Sequence, residues 1–216
     1  MRASGTCAPR PSRPSLGLFG GYTGAGRLLH LPSILPMTML RSHVLRLVVL
    51  VLLMQASRLA AQAPPAGFRD EFLRQFNNSS IKFIELAEAM PDSTYAWRPS
   101  EGVMPVAQVF AHVARYNYLY PQTGLGIAPP AGTDLERMEA TTGKAEIVAL
   151  LRQSREHVRT SVGRLSEADL ARPTRLYGRD VQQWAVLFQL LAHMNEHLGQ
   201  SIAYARSNGV VPPWSQ

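Results

Sequence analysis

The chain has 216 residues, a formal net charge of +7 and a single cysteine, Cys7. The first 63 residues hold seven arginines and no acid, whereas residues 64–216 hold 15 Lys+Arg against 15 Asp+Glu. The high pI therefore gives no reason to expect a nucleic-acid partner, and residues 64–216 offer neither a disulfide framework nor a thiol nucleophile.

Residues 1–36 are rich in Gly, Pro, Arg and Ser and lack periodicity. They read as an upstream extension of a chain that starts at Met37 or Met39; a disordered basic arm is the other reading. Met39 to Ala63 has the layout of a secretory signal peptide. Arg41 and Arg46 form a positive n-region, Leu47 to Met54 (LVVLVLLM) an apolar core, and Ala61-Gln62-Ala63 a small-x-small cleavage motif. The core is too short to anchor the chain in a bilayer, and no cysteine follows it for lipid attachment. These features predict a leader to about residue 63 and an exported bacterial protein, periplasmic or extracellular. Residues 64–216 then form one domain with enough length for a real core.

Four helices are expected in that domain. The first covers Gly67 to Met90, with Phe68, Phe72, Phe76, Phe83, Ile84 and Ala87 as apolar positions and a weak point at Asn77-Asn78-Ser79-Ser80. A connector with three prolines follows, and Tyr95 and Trp97 are expected to fold back as plugs. Pro105 suits the first position of the second helix, which runs to about Tyr120 on Val106, Val109, Phe110 and Val113. Gln108, His112 and Tyr116 line up beside that apolar face. Pro121 to Thr141 is a Gly- and Pro-rich loop, either a lid or plain variable surface. The third helix runs from after Thr142 to about Leu165 on Ile147, Leu150, Leu151, Ser154, Val158, Val162 and Leu165. Its Arg152, Arg155 and Arg159 series reads as a solvated face. His157 neighbours that face and is expected to be solvated, with an ordinary titration near 6.5. Ser166 to Asp169 resembles a capping box for one short turn.

Asp180 to Gly209 reads as a single long helix, with Asp180 as N-cap and Asn208-Gly209 as its stop. Val181, Trp184, Phe188, Leu191, Leu198 and Ile202 form an apolar stripe. Beside it runs a polar stripe of Gln189, His193, His197, Gln200 and Tyr204. No hairpin signal, G-x-G-x-x-G or P-loop is seen, and the architecture expected is an all-α four-helix bundle.

Histidines at i and i+4 stand about 5–6 Å apart at Cβ, close enough for both to reach one metal ion. Burying two imidazoles without partners in an apolar helix is costly. His112 lies on a similar stripe of another helix. His112, His193 and His197 are therefore the candidate metal ligands, leaving coordination positions open to water or substrate. Gln108, Tyr116, Gln189, Glu196 and Gln200 lie within a turn and are candidates to hold the imidazoles. His193-Met-Asn-Glu196-His197 also matches the inverted zinc-protease pattern H-x-x-E-H. That pattern needs an acidic ligand far downstream, and Glu196 is the last acid in the chain.

These residues resemble the DinB/YfiT superfamily of bacterial four-helix bundles, over about residues 68–214. The resemblance rests on Trp97-Arg98-Pro99 with Gly102, on Phe110-Ala-His112, on His193-x-x-x-His197-x-Gly199-Gln200 and on Gly209-Val-Val-Pro212-Pro213. It implies that the three histidines bind a divalent metal, nickel or zinc first, iron or manganese next. Met194 and Glu196 depart from the commonest pattern, where Glu and His are frequent, without touching a ligand position. Characterised relatives resemble thiol-dependent transferases and isomerases; a signal peptide argues against a cytosolic thiol here. The function expected is an exported metal-dependent hydrolase or transferase acting on a small molecule, with Glu196 or Tyr116 as candidate proton carrier. Glu196 lies about 80° round the helix from the mean histidine direction. The other reading is a non-catalytic metal-binding bundle with a structural or sensing role. The partners expected are a small-molecule substrate, no nucleic acid, no membrane anchor after cleavage, and a homodimer as the one protein association allowed.

Overall fold

The computed structural model describes residues 37–60 and 64–215. The Arg-rich extension, Cys7 and the Ala61–Ala63 cleavage motif lie outside the described residues. The chain divides into two compact units, 1–49 and 50–216. Helix α1 (Met37–Ala60) crosses that division, and its apolar positions from Val44 to Met54 are exposed. No helix among the described residues is long and apolar enough to cross a membrane.

The second unit is a four-helix bundle of α2 (Phe68–Ala89), α3 (Val106–Tyr120), α4 (Lys144–Gly163) and α6 (Gln183–Ser207). Helices α2 and α3 each pack on both α4 and α6. The core forms where the 3.6-residue period brings large apolar side chains together. Phe76, Phe83, Leu86, Phe110, Ile147, Leu187, Leu190 and Met194 are all essentially inaccessible to solvent. Phe83 meets Phe110 edge to face at 6.2 Å. The polar stretch at Asn77–Ser80 does not break α2, because its groups find partners on other helices. Ser79 Oγ donates to Asn195 Oδ1 at 2.8 Å, and Asn77 accepts from Arg155.

The connector before α3 folds back as its aromatics suggest. Tyr95 is buried and its hydroxyl donates to the Ala87 carbonyl at 2.6 Å, while Trp97 packs edge-on against Tyr204. Pro105 at the N-cap offers no side-chain acceptor. The first free N–H groups of α3 go to the connector backbone instead: Val106 to the Trp97 carbonyl and Ala107 to that of Tyr95. Ser166 opens the short α5 (Glu167–Leu170) with the capping box expected of it.

The region before α6 differs from the sequence reading. Strands β1 (Pro173–Leu176) and β2 (Arg179–Gln182) pair antiparallel as a hairpin. Asp180 is an exposed strand residue rather than an N-cap, and the helix starts three residues later. The cause is the turn: Tyr177 and Gly178 both take positive φ, 50° and 78°, which suits a two-residue hairpin. The apolar stripe of α6 is also rotated from the one expected. Phe188 is 61% exposed, and the buried residues are Val186, Leu187, Leu190, Met194, Leu198, Ser201, Tyr204 and Ala205. The histidine stripe therefore runs along the flank of the core.

A π-helical turn at Pro121–Leu125 closes α3 and brings Gly124 against α6. A Cβ built on Gly124 would lie 2.6 and 2.7 Å from the two methyl carbons of Val186. Gly124→Ala is expected to lower stability by about 1–3 kcal/mol through overpacking. Because the clash is with one side chain, adding Val186→Ala should give a double mutant that loses less than the sum of the two single losses. Urea unfolding midpoints of the four proteins check this; strict additivity would refute the close approach.

Candidate metal centre

Helices α3 and α6 carry their polar stripes towards each other. One ring nitrogen from each of His112, His193 and His197 falls in a group whose atoms all lie within 4.8 Å of one another. The His112 and His193 Nε2 atoms are 3.1 Å apart. The ring of His197 lies 4.8 Å from that of His112 and 4.6 Å from that of His193. Among the described residues this is the one group of His, Cys, Asp and Glu side chains arranged to hold an ion.

Two neighbours fix the imidazoles. His112 Nδ1 is 2.9 Å from Glu139 Oε1, and His197 Nδ1 is 2.7 Å from Gln200 Oε1. The Gln200 amide nitrogen donates to the Tyr204 hydroxyl at 2.9 Å, and that hydroxyl donates to the Met104 carbonyl at 3.3 Å. The direction of this relay leaves the Gln200 oxygen as acceptor, so His197 Nδ1 carries its proton. The Glu139 carboxylate imposes the same tautomer on His112. Both Nε2 atoms are then lone pairs aimed into the cluster. At His112 that lone pair accepts from His193 Nε2–H at 3.1 Å; with His193 in its other tautomer, three nitrogen lone pairs converge on one small volume, the donor set of a cation. The residues present therefore fit a divalent ion.

Electrostatics act the same way. Burial first, then the charges of His197 and His112, push the His193 pKa down to about 3. Burial also lowers that of His112, against the opposing pull of Glu139. Glu139 and His112 lie within ion-pair distance, yet desolvation outweighs the carboxylate, so the contact is a neutral imidazole donating to an anion. Neutral imidazoles are the form that binds metal.

Tyr116 packs its half-buried ring against His112 at 4.5 Å and His193 at 4.4 Å, and the Arg115 guanidinium lies over the same ring at 5.4 Å. Glu196 is exposed and lies off the cluster. Of the candidate holders, Gln200 meets His197, and Gln189 hydrogen-bonds Tyr120 one turn away. Glu139 is absent from the sequence reading. It sits in the Met138–Ala140 turn at the end of the long loop, held by Arg115, which also donates to the Leu135 carbonyl at 2.8 Å. The loop is thus pinned to the centre rather than plain surface. No periodicity marks an acid in such a segment; the lone clue was that a ligating histidine wants an acceptor.

His157 needs correction. It is half-buried, its ring lies 4.9 Å from Tyr118, its Nε2 has no partner, and burial lowers its pKa. It follows buried Ser154 by three positions, which turns it towards α3 despite the charged residue beside it. It lines a cavity of about 1030 Å³ between the loop and α4, and none of the three clustered histidines lines that cavity.

The DinB superfamily model matches residues 75–204. A DinB-like protein of Bacillus cereus ATCC 10987 is similar in structure, with TM-score 0.56 and 18% identity over 67% of this chain and 95% of its own. A DinB-like protein of Bacillus subtilis gives 0.54 and 23%, over 68% and 97%. YfiT from Bacillus subtilis, described as "a probable metal-dependent hydrolase with an unusual four-helix bundle topology", gives 0.56 and 16%, over 69% and 93%. At these identities the likeness is one of fold. No curated protein matches the sequence.

The lowered pKa values set a pH dependence for the metal-free protein. Between about 3 and 6.5 the unfolded chain protonates His193 while the folded chain does not. Native protein then binds fewer protons, so stability is full above 6.5 and falls as pH drops through this window. Chelated wild type should lose melting temperature from neutral pH to pH about 4.5 more steeply than His193→Gln. In proton NMR titrations His193 and His157 should both show midpoints below 6.5; an ordinary midpoint for either would contradict its burial.

Proposed function

The chain belongs to the DinB superfamily, and we propose that it is a metal-dependent enzyme, a hydrolase or transferase, acting on a small molecule. His112, His193 and His197 would hold a divalent ion, zinc or nickel. The observation that carries this reading is the convergence of one ring nitrogen from each histidine within 4.8 Å, with the Nδ1 atoms of His112 and His197 held by Glu139 and Gln200.

An ion bound by three neutral imidazoles supplies Lewis acidity at open coordination positions. The chain's own groups do the rest. Glu139 and Gln200 orient the two imidazoles, Tyr116 excludes water from one side of the cluster, and Arg115 holds Glu139 in place. Tyr116 is better placed than exposed Glu196 to meet a bound substrate.

The reading is tested by metal content and turnover. His112→Ala should lose most bound metal in plasma mass spectrometry, while His157→Ala keeps the wild-type stoichiometry. Glu139→Ala should weaken metal affinity by about 10–100-fold. Excess metal should stabilise wild type by about 2.7 kcal/mol at a hundredfold excess over Kd, and leave a His193→Ala, His197→Ala double mutant unmoved. Chelator-sensitive turnover of small esters or amides supports the enzyme; metal-dependent stability without any such turnover across a broad panel supports a non-catalytic bundle instead.

We also propose that the protein is exported. The support is the Arg41/Arg46, Leu47–Met54 and Ala61–Ala63 succession in the sequence. N-terminal sequencing from the native host should find chains beginning at Gln62 or Pro64; a mature chain that keeps Leu47 to Met54 would sink the idea.

A further inference from the structure

The β1–β2 hairpin turns on a tyrosine in the left-handed region, with φ 50° at Tyr177. A bulky side chain is disfavoured there, and the residue that suits a turn ahead of glycine is asparagine. Core packing does not explain the tyrosine, since Tyr177 is 66% exposed. What it does make is a hydroxyl contact: its oxygen lies 2.5 Å from that of Tyr120.

Tyr120 belongs to the histidine centre. It follows His112 and Tyr116 along α3 at four-residue steps. Its ring lies 5.2 Å from Tyr116 and 5.7 Å from His193. Gln189, one turn before His193, also hydrogen-bonds the Tyr120 hydroxyl. Either hydroxyl could donate in this contact, but Tyr120 is buried and its O–H needs an acceptor; with the Gln189 amide nitrogen donating to Tyr120, that acceptor is Tyr177, and the exposed Tyr177 keeps its own hydrogen free. The hairpin is fixed in position by Thr174 Oγ1, which donates to the Gly124 carbonyl at 2.8 Å, and by the Gln183 N–H to the Arg172 carbonyl at 3.0 Å. A strained turn thus delivers an accessible neutral donor to the end of the ligand-bearing stripes.

We propose that Tyr177 is a substrate-binding residue of the histidine centre, donating its hydroxyl hydrogen to a carbonyl or carboxylate oxygen of the small molecule bound there. The proposal rests on His112, His193 and His197 holding a metal. A neutral hydroxyl donor matches an oxygen acceptor without requiring a full negative charge, so acyl compounds are the class it fits. Tyr120 is a positioning residue, because it acts through Tyr177.

The test uses cobalt(II) as the bound metal and acetate as the probe. Wild type, Tyr177→Phe and Tyr177→Asn are loaded with cobalt, and acetate is titrated at neutral pH and constant ionic strength while the visible spectrum is followed. Both variants should take up cobalt as wild type does and bind acetate about five- to tenfold more weakly, the loss of one hydrogen bond. Tyr177→Asn suits the turn, but both variants leave the buried Tyr120 hydroxyl without its acceptor, so both are expected to melt somewhat lower than wild type. A residue that only holds the hairpin would lower the melting temperature of both variants and leave acetate affinity unchanged. Equal acetate affinity in wild type and Tyr177→Phe, or no acetate response in wild type, overturns the proposal. Failure of wild type to take up cobalt overturns the metal reading itself, and this proposal with it.

Discussion

A buried imidazole is costly unless its hydrogen bonds are met, and the Glu139–His112 and Gln200–His197 contacts meet that demand on one side of each ring. Meeting it on the Nδ1 side makes the Nε2 side an acceptor, which His193 Nε2 faces at 3.1 Å at His112. The cluster is therefore poised by its own hydrogen bonding: each contact that orients a ring also exposes a lone pair. His193, with no such holder and with burial as the main influence on it, stays neutral far below physiological pH. Much of the surrounding structure serves this arrangement. The long loop ends in a turn that carries Glu139, Arg115 anchors both the turn and Leu135, and the connector before α3 supplies the Met104 carbonyl that ends the Gln200–Tyr204 relay.

Such a polar centre coexists with an apolar core because the helices separate them by angle. On α3, Val106, Val109, Phe110, Val113 and Ala114 face the core while His112, Tyr116 and Tyr120 occupy the neighbouring stripe. On α6 the buried line from Leu187 to Ala205 and the stripe from Gln189 to Tyr204 lie side by side. The aromatic members of the stripes give up little apolar burial, so the bundle keeps its packing where the histidines interrupt it.

Much of this was legible in the sequence. The four long helices follow from period 3.6, and the convergence of three histidines from their stripes, with Gln200 correctly among the candidate holders. Glu139 was not legible, because a loop acid has no spacing that points at a partner 27 positions away. The hairpin was missed because its strands are four residues long and its turn begins with tyrosine. Asp180 then imitated a helix start, and the false start shifted the apolar stripe onto Phe188. His157 was misjudged from its charged neighbour rather than from Ser154, which shares its side of α4.

The histidine contact between α3 and α6 joins positions 81 apart in the chain. In polymer terms that is a cross-link closing a long loop, and the entropy removed from an unfolded chain grows with the logarithm of the loop's length. Disulfides are one common means of such closure, but no cysteine follows Cys7. Ligation at these imidazoles would tie the same two strands of the chain path together, in a bond that acid or a chelator opens and a reductant does not. A bundle without cysteines would thereby gain a staple indifferent to redox conditions.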